Sequence, residues 1–426
     1  MSPRAGWILL VVVVLVLLGG AWWMFRPRAL APPQTVWERR SESKAKIVGP
    51  TLATSPNGKW FALAWAEGRR VWWMRGTSTG GQMRLDAPSA LPDSLHPFTA
   101  FDEDPPKAAV DNEGQLAIAW MTRPLSRNEG SVIAVARPNL DRDRRVSLTR
   151  IESDNPKSFL LSESIHYDDD GRLLAVWIDA GSAADSDGEQ GVLQCAVASP
   201  QGAFEGIASL SDSVCACCNT SLSWLGPDRF ALAWRGVAAG DVRDIRFAVL
   251  EERGEGRGTP PALTPESRTV VHADGWSIQG CPLAGPSVGA IGESAAWVTW
   301  YTEGPSRGLY LARLAPGTGG GSAASVWRPA APLAVEAGAQ GAHPKMATLS
   351  SGRPLVVYEQ AVGEQGRMVQ ARVQQGQGLT APYAFSVATR ASRPTAVRFG
   401  INSALLAWSE SDDLGPRLVL ADWRDL

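Results

Sequence analysis

Cys215, Cys217 and Cys218 fall within four positions, and Cys281 follows about sixty residues later in Gly280-Cys281-Pro282. Adjacent cysteines bridge each other poorly, because disulfide geometry between neighbours is strained. Three closely spaced thiols joined by a fourth from elsewhere form a donor set for a soft metal ion. An all-sulfur set favours Cu(I), and a tetrahedron of four cysteines also suits zinc. The same grouping also suits a redox-active dithiol. A structural alternative stands beside these: Cys281 bridges one member of the triplet and pins two segments together, as in many exported proteins. Two of the four cysteines then remain without a role, so both readings stay open.

Around this set, His343 in Ala342-His343-Pro344 is an accessory candidate, as are Arg243, Asp244 and His272. Arg243 could grip a carboxylate or form an ion pair with Asp244; His272 precedes a Gly-Trp segment that it could orient. His96 and His166 carry no pattern, and Cys195, flanked by apolar residues, reads as a buried free thiol. The chain contains no phosphate-binding glycine loop, no His-x-x-x-His and no nucleophile elbow.

The elements that must position these residues are repeats. A Gly/Asn/Asp turn followed by an apolar strand recurs, as in Phe61-Ala-Leu-Ala-Trp65, Leu116-Ala-Ile-Ala-Trp120 and Ala231-Leu-Ala-Trp234. Its closing aromatic falls at Trp65, Trp120, Trp177, Trp234, Trp300, Tyr358 and Trp408, a period of about 57 residues. A third, alternating strand and a weaker fourth follow each copy. Short antiparallel strands in repeated groups of three or four are propeller blades. The fold expected is therefore all-β, a single β-propeller over 35–426 with seven blades, or six plus an irregular unit. The last copy runs out in its third strand, so Thr35–Arg40 or Lys44–Val48 is expected to close the ring and remove an exposed edge. The cysteine triplet and Cys281 then lie in the same inter-blade connection of consecutive repeats, which places all four sulfurs on one rim.

Trp7–Phe25 is an unbroken apolar stretch long enough to cross a bilayer, with Trp7, Trp22 and Trp23 near its ends. Residues 1–28 are expected to be a membrane anchor or uncleaved signal, a cleaved signal peptide being the alternative, and 29–34 a linker. The propeller would sit in the bacterial periplasm on a single-pass inner-membrane tether, with the membrane and an envelope protein as partners. A net charge of −2, from 41 basic and 43 acidic residues, argues against nucleic acid.

The repeat resembles the BNR (sialidase-like) family of bacterial exported proteins. The likeness is most specific over Val214–Leu222, Arg243-Asp244-Ile245 and Asp274–Ser287, where a Cys-x-Cys-Cys run pairs with Gly-Trp-x-Ile-x-Gly-Cys-Pro. It implies the propeller fold more than an activity. The sialidase turn box is degenerate at Ser199–Glu205, and none of the five tyrosines stands in a nucleophile context. The functions expected are, in order, a thiolate-rich copper, zinc or redox site, a non-catalytic interaction scaffold with structural disulfides, and a glycosidase.

Overall fold

A computed structural model describes residues 32–424 except 43, 80–81, 93, 96–102, 123–128, 141–144, 183–189, 200–201, 252–261, 264–267, 318–325, 339–340, 365, 387–389 and 402. The apolar stretch at 7–25 and His96 lie outside the described residues. Among those described, no helix is long and apolar enough to cross a membrane.

Seven antiparallel sheets follow one another along the chain. Their inner strands begin at Ile47, Lys107, Leu160, Ser221, Ser287, Gly341 and Ala391, which opens blades 1 to 7 in that order. Each blade passes from its inner strand outward, and the repeat aromatic always lies in the second strand. Gln34–Arg40 pairs with Gly415–Arg424 and supplies the outer strand of blade 7, so the N-terminal segment closes the ring. Lys44–Val48 does not share that role, because Ile47–Thr54 is the inner strand of blade 1.

The Ala-Trp signature has a packing cause. Side chains alternate across a strand, so consecutive residues face opposite neighbours. Trp120 packs in the cluster between blades 1 and 2, whereas Ala119 belongs to the cluster between blades 2 and 3. The same holds all round: Trp177, Trp234, Trp300, Tyr358, Trp408 and Trp65 face the preceding blade. Ala64, Ala233 and Ala407 face the following one. Each interface thus seats a large ring from one blade against apolar side chains of the preceding one, small alanines between blades 1 and 2 and larger residues such as Leu309 and Leu311 between blades 5 and 6, which sets the blade angle at native packing density. The buried indole N–H groups of Trp65 and Trp408 reach Glu67 (3.1 Å) and Glu410 (2.9 Å), two positions on along the same strand face.

Strand direction decides what shares a face. With four alternating strands per blade, the outer-to-inner connections, the starts of the inner strands and the second-to-third loops all lie at one end of the ring. The cysteine segments, Arg235, Arg243 and the start of every inner strand therefore meet on one rim.

Candidate functional site: a buried thiol pair beside a disulfide

Cys215 ends the outer strand of blade 3, Phe204–Cys215, and the chain turns at once: Cys218 N–H donates to the Cys215 carbonyl at 3.3 Å. Thr220 then leads into the inner strand of blade 4. Cys281 lies in the next connection, between the outer strand Thr269–His272 and the inner strand Ser287–Ile291. The structure joins Cys217 to Cys281 in a disulfide, with Cα atoms 6.2 Å apart. The bridge therefore ties the two ends of blade 4 together. Cys215 and Cys218 stay as buried thiols, and with Val237 they pack against the bridge. The sulfurs of Cys215, Cys217 and Cys218 lie within 4.8 Å of one another, and Cys215 Sγ is 3.9 Å from Cys217 Sγ. All four expected cysteines thus converge, and two of them are covalently paired.

Two arginines shape the electrostatics here. Arg235, directly after the repeat tryptophan of blade 4, is only 1 % exposed, and Arg243 is fully buried. Arg235 donates to the Ala284 carbonyl (2.8 Å), the Tyr301 carbonyl (2.7 Å) and the Arg243 carbonyl (2.5 Å), and its guanidinium lies 4.8 Å from the centre of the Trp276 ring. These three acceptors are neutral carbonyls, and the charge of Arg235 acts on Cys218 and Cys215 ahead of Asp274 and Asp244. Hydrogen bonding from the Cys218 thiol lowers Cys215 to about 7, against burial and with help from the charges of Arg235 and Arg243. Burial, followed by the adjoining Cys215, pushes Cys218 well above the usual thiol range. One sulfur is therefore poised as a thiolate, and the other stays protonated to support it. Cys215 and Cys218 have Cys-x-x-Cys spacing, a signal masked in the sequence by the intervening Cys217.

The accessory candidates separate. His272 stands 3.9 Å from Asp274, which accepts the Trp300 indole N–H at 2.8 Å. Asp244 accepts from Gly275 N–H at 3.1 Å, and Arg243 N–H donates to the Trp276 carbonyl at 2.8 Å. Both therefore position the Cys281 loop. His343 lies instead on the central channel, 3.1 Å from buried Glu359. His166, also on the channel, donates Nδ1–H to the Tyr167 carbonyl at 2.6 Å. Cys195 is the buried thiol expected, in the third strand of blade 3, and burial pushes it up to about 12.

The connections that carry the bridge also form channel wall. Asn219, Leu283, Ala284 and Gly285 line the central cavity. A Cβ on Gly285 would stand 2.1 Å from the Asn219 carbonyl oxygen, so only glycine lets these two backbones touch.

The chain matches no family profile and no curated protein. Solved structures share the fold. A lectin from Burkholderia pseudomallei is 14% identical with a TM-score of 0.55, the match covering 89% of this chain and 99% of that one. An ulvan lyase is 11% identical with a TM-score of 0.51, over 94% and 98%. A Hadza microbial sialidase is 10% identical with a TM-score of 0.47, over 84% and 73%. At such identities the likeness concerns architecture alone: the chain is a seven-bladed β-propeller whose architecture is similar to that of the lectin and the polysaccharide lyase.

Proposed function

We propose that the propeller carries a thiol–disulfide exchange centre on its rim, with Cys215 as the internal nucleophile. The observation that carries this is the 3.9 Å approach of Cys215 Sγ to the bridged Cys217. In the exchange, the Cys215 thiolate attacks Cys217 Sγ, a Cys215–Cys217 bond forms and the Cys217–Cys281 bond breaks. The electron pair leaves on Cys281 Sγ. Cys281 is exposed, whereas Cys215 and Cys218 are buried, so the step converts a hidden thiolate into one on the surface. The partner is a protein or small molecule bearing a thiol or disulfide, which reacts at Cys281. A disulfide on the rim agrees with an oxidising compartment, and a periplasmic propeller tethered through residues 7–25 fits this role. The test is bridge mapping by mass spectrometry in glutathione buffers of graded potential. We expect two isomers, Cys217–Cys281 and Cys215–Cys217, in the native protein and only the first in Cys215→Ser.

A second reading rests on the clustering of three sulfurs within 4.8 Å. In the bridged state only Cys215 and Cys218 could ligate through thiolates, which does not fit a four-sulfur site. Reduction of the bridge would add Cys217 and Cys281, and this set suits Cu(I), with zinc as the alternative. Reduced protein is then expected to retain about one equivalent of Cu(I) against a competing chelator, and a Cys217→Ser/Cys218→Ser double variant to lose it. Equal retention by both proteins would remove the metal reading and leave the exchange reading untouched.

A further inference from the structure

At the rim end of the central channel, four inner strands share one irregularity. Pairing shifts register at Gly49-Pro50, Ser162-Glu163, His343-Pro344 and Arg393-Pro394. The first residue of each bulge is left-handed, with φ of 97°, 58°, 48° and 54°. Glycine adopts this freely, but serine, histidine and arginine do so at a strain that other contacts must offset. A bulge re-aims side chains, and here it directs polar groups from several blades toward the mouth of one cavity of about 370 Å³.

At the rim end three cations from three blades line that cavity, Lys107, Lys345 and Arg393, whereas the fourth, Arg398, ends the inner strand of blade 7 at the opposite end. Lys107 is paired with Asp104 at 2.7 Å, and Arg393 with Glu103 at 2.8 Å. Glu359 is already engaged by His343 at 3.1 Å, Arg393 N–H at 2.8 Å and Arg367 at 3.3 Å. Among the described residues no carboxylate ion-pairs with Lys345. Burial, and then the charges of Lys107 and Arg393, push its ammonium down to about 8. Glu163, next to the mouth, adds no compensating charge at neutral pH, because burial and Asp104 push it up to about 8. Three cations against the carboxylates of Asp104 and Glu103 leave one positive charge uncompensated. The walls around it carry the hydroxyls of Thr51, Ser164 and Thr395 and the amide of Asn219. A half-buried cation with no counter-ion lowers stability and is the complement of a missing anion.

We propose that the rim end of the channel binds a small hydroxylated monocarboxylate, its carboxylate meeting Lys345 between Lys107 and Arg393 and its hydroxyls meeting the polar walls. Open-chain hydroxy acids and cyclic sugar acids both present this chemistry. The site is separate from the thiol centre and is tested with the bridge intact.

Full-length protein is titrated calorimetrically with gluconate, glucuronate, glucose and sulfate. One or both acids are expected to bind at one equivalent, with the stronger of the two identifying the open-chain or cyclic class, and glucose is expected not to bind. Lys345→Gln should weaken the acid by about tenfold or more, and its thermal midpoint without ligand should equal or exceed that of the native protein. The midpoint of native protein should also rise with the acid and not with glucose, a readout that needs no variant. Binding of neither acid below about 10 mM, sulfate binding as tightly as the acids, or unchanged affinity in a folded Lys345→Gln would each overturn the proposal.

Discussion

Replacing Cys281 by serine is expected to lower unfolding stability by about 2–4 kcal/mol, and reduction of the native protein to lower it equally. The bridge spans 64 residues, and that loop contains the whole of blade 4. Opening it restores to the unfolded chain the freedom of a long loop, and the entropic cost of closure grows slowly with length. In the folded state it releases the two connections that flank blade 4, so hydrogen exchange should accelerate first in Ser221–Gly226 and Ser287–Ile291. The measurement is denaturant unfolding of native, reduced and Cys281→Ser protein. Superimposable curves for all three would mean that the bridge does not restrain the ring.

Glu163→Gln is expected to stabilise the protein by an amount that depends on pH. Glu163 is fully buried, neither of its oxygens makes a hydrogen bond of normal geometry, and Asp104 lies close enough to repel its charge. Its carboxyl rises from 4.5 to about 8 on folding, with Lys107 pulling the other way. Between these values the folded protein holds a proton that the unfolded chain releases, so stability falls as pH rises from 4.5 through 8. Glutamine mimics the protonated acid and removes that loss. Little difference is expected at pH 4.5, growing to about 2–4 kcal/mol in favour of the variant above pH 8. Parallel stability–pH curves for the two proteins would contradict this environment for Glu163.

The repeat aromatic made the fold readable, because one packing rule places Trp65, Trp120, Trp177, Trp234, Trp300, Tyr358 and Trp408 alike. Antiparallel alternation then carried the cysteine inference: equivalent connections in consecutive blades are neighbours, so convergence of Cys281 on the triplet followed from repeat position. The choice of partner did not follow, since Cys215, Cys217 and Cys218 are equivalent at that level and only the turn after Cys215 separates them. Arg235 was hidden because it follows the repeat tryptophan where other copies carry Ala66, Met121 or Ile178, so its burial against Trp276 depends on the next blade's loop. The channel cations were hidden for a different reason. Bulges break the two-residue period that sequence reading relies on, and Lys107 of blade 2 lies far along the chain from Lys345 and Arg393 of blades 6 and 7. A trace remained in Pro50, Pro344 and Pro394, which recur at the same place in three inner strands.

The exchange reading is tested most directly by the rate at which Cys281 is alkylated in the native, non-reduced protein. A static bridge keeps Cys281 closed to iodoacetamide, whereas attack by Cys215 exposes it transiently. The rate is predicted to rise with an apparent pKa of about 7, set at Cys215 by Cys218 and by Arg235 and Arg243. It should fall by about tenfold or more in Cys215→Ser, and its pH midpoint should move up in Cys218→Ala as the hydrogen bond to the thiolate is lost. Modification of Cys281 that is absent at every pH, or equally fast in Cys215→Ser, would contradict a thiol–disulfide exchange centre on this rim.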